Sequence, residues 1–89
     1  MYWYKILADD GGDESYTYVG ASNETIDGLA QKAARGEYIH LTQLLYWDRG
    51  EIKEWAEWDK SLEPAVFLNP QYVYSIMQFK GDPRDVPSR

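Results

Sequence analysis

Apolar positions along the chain fall into short runs of two different periods, separated by turn-forming residues. Residues 2–8, Tyr-Trp-Tyr-Lys-Ile-Leu-Ala, are aromatic and branched with no breaker, and predict a strand. Asp9-Asp10-Gly11-Gly12-Asp13-Glu14 predicts a turn, and Ser15-Tyr16-Thr17-Tyr18-Val19 alternates as the second strand of a hairpin. The period then changes. Ser22-Asn23-Glu24-Thr25 is a helix-start signal, and Ile26, Leu29, Ala30, Ala33 and Ala34 recur at helical spacing. Lys32 and Arg35 fall in the last turn, with Gly36 just past the cap. The stripe is narrow and alanine-rich, which suits close packing of the helix on a sheet.

Strand periodicity returns at Tyr38–Trp47. Alternation there puts Ile39, Leu41, Leu45 and Trp47 on one face and Tyr38, His40, Thr42, Leu44 and Tyr46 on the other. Asp48-Arg49-Gly50 predicts a hairpin turn. Ile52–Lys60 reads either as a helix, with Ile52, Trp55 and Ala56 together, or as a bent strand; the hairpin context favours the strand. Val66-Phe67-Leu68 and Val73–Phe79 are strands split by Asn69-Pro70. Proline lacks the N–H that a ladder requires, so this dipeptide predicts a corner about one turn long, after which the chain leaves in a new direction. Residues 80–89 carry two prolines among polar residues and predict a flexible polar tail after a single globular domain over 1–79.

The expected fold is therefore a β-rich α+β domain: an N-terminal β-hairpin, one helix and a small bent antiparallel sheet. Ile39-His40-Leu41-Thr42, and Val66-Phe67-Leu68-Asn69-Pro70 followed by Val73 and Ile76, resemble two kinds of small bacterial β-barrel. One is a flagellar-operon family with a Leu-Asn-Pro turn between strands. The other is the Sm-like barrel, whose order of helix, long strand, hairpin, strand, corner and strand fits residues 24–79. The resemblance implies a small barrel with a tendency to form ring oligomers. The Gly-Asp and Arg-Gly signatures that hold RNA in Sm-like proteins have no counterpart around Val73–Ile76, so no RNA-binding residue is implied.

Composition narrows the function. Nine basic against fifteen acidic residues give a net charge of −6, which disfavours nucleic-acid backbones and anionic membranes as partners. There is no cysteine, and Met1–Lys5 lacks the pattern of a signal peptide, so a cytoplasmic protein is expected. His40 is the sole histidine and has no nucleophile elbow or co-ligand around it, so neither a catalytic triad nor a zinc site is expected. Asp9, Asp10, Asp13 and Glu14 read as a solvated hairpin tip and not a calcium loop. No cofactor and no enzymatic activity are expected.

Binding is the chemistry that remains. Four Trp, eight Tyr and two Phe exceed what so small a core can enclose, since each buries up to about 150–250 Å². The surplus predicts an aromatic interface, with Trp47, Trp55, Trp58, Tyr72 and Tyr74 as candidate binding residues. A non-catalytic, self-associating interaction module is the leading expectation. An acidic inhibitor or nucleic-acid mimic of the kind mobile elements encode is the alternative, and a small enzyme is the third.

Overall fold

The computed structural model describes residues 1–9, 11–55 and 60–85. Its elements are β1 (Tyr2–Asp9), β2 (Ser15–Ser22), α1 (Ile26–Ala34), β3 (Ile39–Asp48), β4 (Glu51–Glu54), β5 (Val66–Leu68) and β6 (Val73–Gln78). The strands form one antiparallel sheet in the order β4-β3-β2-β1-β6, with β5 also paired to β3. No helix among the described residues is long and apolar enough to cross a membrane.

The predicted first hairpin forms, with Tyr2 opposite Ser22 and Asp9 opposite Ser15. β2 runs past the expected Val19 because small residues there admit β3 at close range. A Cβ on Gly20 would lie 2.9 Å from the Thr42 carbonyl oxygen and 3.0 Å from Leu44 Cδ2. Ser22 thus belongs to the strand, and Thr25 is the helix cap: its hydroxyl accepts from the Gly28 N–H at 3.0 Å. At the other end Gly36, at φ +77, lets its own N–H reach Ala33 O and that of Glu37 reach Lys32 O. The apolar stripe is narrower than its spacing suggested. Leu29 is buried and Ala33 packs against the core, whereas Ile26, Ala30 and Ala34 are exposed, because the short helix meets the bowl of the sheet along one line only.

β3 organises the sheet, and its alternation breaks. Between the pairs Ala21–Thr42 and Val19–Leu45, β3 uses one residue more than β2, and Gln43 at φ 50 is the extra one. This bulge reverses the facing of everything beyond it. Leu44 joins Ile39 and Leu41 in one cluster, and Leu45 joins Trp3, Val19 and Ala21 in another. The strict alternation expected for Tyr38–Trp47 is corrected accordingly. One edge of β3 pairs with β2. The other pairs first with β5, through Ile39–Leu41, and then with β4, through Leu45–Asp48. Arg49 and Gly50, at φ 55 and 84, make the tight β3–β4 turn whose twist suits a hairpin. β4 ends at Glu54, short of the bent strand expected to Lys60, and residues 56–59 lie outside the described residues.

The inner face of the sheet, with Tyr4, Ile6, Ile39, Leu41, Leu44 and Leu68, closes over Leu29 of the helix. At the corner, Asn69 Oδ1 accepts from Gln71 N–H at 3.0 Å, its carbonyl accepts from Tyr72 N–H, and Pro70–Tyr72 form one 3-10 turn. The chain then crosses to the far side of the sheet, where β6 pairs with β1. The sheet bends without closing into a barrel: no pairing joins β5 to β6 among the described residues.

Residues 80–85 of the expected tail lie across the outer face, where Pro83 is buried and Arg84 stands over Trp3. Residues 86–89 lie outside the described residues.

Candidate functional site

β6 ends the strand order, so one of its edges has no strand against it among the described residues. Its sequence explains why that edge matters. Val73–Phe79 carries no charge, and Tyr74 and Met77 are 63% and 50% exposed. The register with β1 slips between Leu7 and Ala8, leaving Tyr74 as an extra, bulged residue. The Tyr74 hydroxyl donates to Asp9 Oδ2 at 2.8 Å, while Asp9 Oδ1 accepts from Gly11 N–H at 3.1 Å. Donating to a carboxylate raises the Tyr74 pKa, since ionisation would break the bond and place like charges together. Tyr72 lies against Gly11 from the corner side. The two tyrosines thus fasten the acidic hairpin tip to the β5–β6 corner.

The tryptophans are distributed differently. Trp47 is exposed on the outer face, tilted against Phe79 with 6.4 Å between ring centroids. Trp55 is half-buried on the inner side, where its indole N–H donates to Leu45 O at 3.2 Å and its ring stands edge-on to Tyr46. Trp58 lies outside the described residues. The sequence candidates therefore occupy three places: Tyr72 with Tyr74 at the corner, Trp47 outside, Trp55 inside.

Sequence reasoning passed over Phe67, which is 65% exposed and stacks on His40 at 4.2 Å, nearly parallel. Its position between the inward-facing Val66 and Leu68 carried the signal, because alternation sends the middle residue of the strand outward.

A cleft of about 260 Å³ opens beside His40, between β3 and the start of the helix. Its charged groups, Glu24 and Lys32, pair at 3.5 Å. Ser22 Oγ accepts from Glu24 N–H, and the buried Tyr4 donates to Glu24 O at 2.6 Å. Burial, reinforced by Tyr2 and Glu24, raises the Tyr4 pKa, so this phenol stays a donor holding the loop. Among the described residues no group of His, Cys, Asp and Glu is arranged to hold a metal ion.

Compared with protein-family models, curated proteins and solved structures, the chain has no match.

Proposed function

We propose that the protein is a non-catalytic interaction module that self-associates through the outer edge of β6. The observation that carries this reading is the end position of an uncharged strand with exposed apolar side chains, Tyr74 and Met77. Backbone donors and acceptors along such an edge template pairing with another chain, and native proteins usually block them with charge, proline or a covering element. Here β1 takes one edge of β6, and no strand among the described residues takes the other. A second β6 related by a two-fold axis would continue the sheet in an isologous contact. The resemblance of residues 24–79 to Sm-like barrels, which tend to form ring oligomers, supports the same reading, although the sheet itself bends at the corner without closing among the described residues.

The distribution of charge supports a module over a mimic. A nucleic-acid mimic lines its carboxylates in one phosphate-like row. The carboxylates among the described residues are scattered over the β1–β2 tip, the start of the helix, Glu37 beyond its end, the β3–β4 hairpin, Glu63 before β5 and the C-terminal segment. Glu24, Glu37, Asp48, Glu54 and Asp82 are moreover paired with Lys or Arg.

Mass by light scattering from low to high micromolar concentration tests the proposal. A concentration-dependent rise to a dimer or ring is expected, and Ser75→Lys, which adds a charge to the edge, should weaken it. A strictly monomeric mass at high micromolar concentration would sink the reading.

A further inference from the structure

The outer face of the sheet is an apolar surface occupied by the chain's own C-terminal segment, and the manner of occupation describes a ligand. Phe79 donates its N–H to Trp3 O at 2.8 Å and turns its ring toward Trp47. Lys80 and Gly81 are exposed, and nothing stands within 4 Å of where a Cβ on Gly81 would project. Pro83 is then buried, and the Arg84 guanidinium lies 5.0 Å above the centroid of the Trp3 ring. The same guanidinium pairs with Glu54 on β4 at 2.8 Å and with Asp82 at 2.6 Å. An aromatic anchor, a seated proline and an arginine held by cation–π and carboxylate contacts form a recognition set for an extended peptide.

We propose that this face, centred on Trp3 with Trp47 and Glu54 at its sides, binds partner segments of the form aromatic-x-x-x-Pro-Arg, and that residues 79–85 are its tethered competitor. The attachment is of a kind that exchanges. Its charged contacts are solvent-accessible, with 36% of the Arg84 side chain exposed, and pairs of that sort hold weakly. Its advantage over a free peptide is largely the effective concentration that a short link confers, on the order of millimolar. A partner segment with a better aromatic or a longer apolar flank displaces it. The site lies on the face of the sheet and not along the β6 edge, so it stands independently of the self-association proposed above.

The test uses full-length Arg84→Glu, which loosens the tethered segment by setting like charges at Glu54, and a fluorescent peptide of residues 79–85. The peptide is expected to bind this variant at least tenfold more tightly than it binds the unaltered chain. A peptide carrying Glu in place of its arginine should not bind. Equal affinity for both chains, no binding to a folded variant, or equal binding of the two peptides would overturn the proposal. Should the variant fail to fold, a spin-labelled peptide at millimolar concentration with the unaltered chain decides: broadening of the Trp3 indole NMR signal supports the site, and its absence overturns it.

Discussion

The two faces of the sheet are kept dry by different means. Inside, a helix lays Leu29 among Tyr4, Ile6, Ile39, Leu41, Leu44 and Leu68, and the contacts are apolar side chains meeting apolar side chains. Outside, Ile52 and Phe79 pack against Trp3, Val19, Ala21 and Leu45, and Arg84 of the C-terminal segment stands over Trp3, held by Glu54 and Asp82. The inner arrangement draws on area removed from water, which salt barely weakens. The outer one adds charge contacts near the surface, which salt screens and acid removes. The outer face is therefore the more sensitive of the two to salt and acid.

Leu29→Ala should break the inner face. Leu29 is 1% exposed, and truncating a leucine so enclosed costs about 2–5 kcal/mol in urea unfolding. A loss below about 0.5 kcal/mol would place the helix outside the core.

Gly20→Ala tests the crossing that separates the faces. The new methyl would meet the Thr42 carbonyl oxygen at 2.9 Å, and backbone yields less readily than a side chain. A cost of about 1–3 kcal/mol is expected, as for other overpacked sites. A neutral result would mean that β2 and β3 can part without penalty.

Arg84→Ala should have the smallest effect, about 1 kcal/mol or less at low salt, disappearing near molar salt while the Leu29→Ala loss persists. Acid should act in the same place. The hydrogen bond from Arg84, more than any other influence, holds the Asp82 carboxyl below its ordinary value of 3.8. A carboxyl lowered in the folded state contributes stability above its unfolded pKa and loses it as pH falls through the folded value. Tryptophan fluorescence should therefore report loosening of the outer face only below about pH 3.8, before global unfolding. Loosening near neutral pH would assign the contact to another group.

Much of this was legible in the chain. The first hairpin, the helix with its Gly36 terminus, the Arg49-Gly50 turn and the Asn69-Pro70 corner are each set by local rules: a period, a cap, a left-handed residue, a missing N–H. The candidate aromatics were recognisable as a surplus but not as a location. Composition counts rings and says nothing about which face receives each one.

What the sequence determined by itself was therefore the order of the elements, their kind outside Ile52–Lys60, and the lack of charge along Val73–Phe79. Only the tertiary structure decided the bulge at Gln43, which sends the neighbours Leu44 and Leu45 to opposite faces. It alone decided too that Arg84 crosses the sheet to Glu54 and Trp3. The physical reason is common to both. Local signals act over one turn or one alternation, whereas a bulge answers to the strand beside it and an ion pair to a residue thirty positions away in the chain.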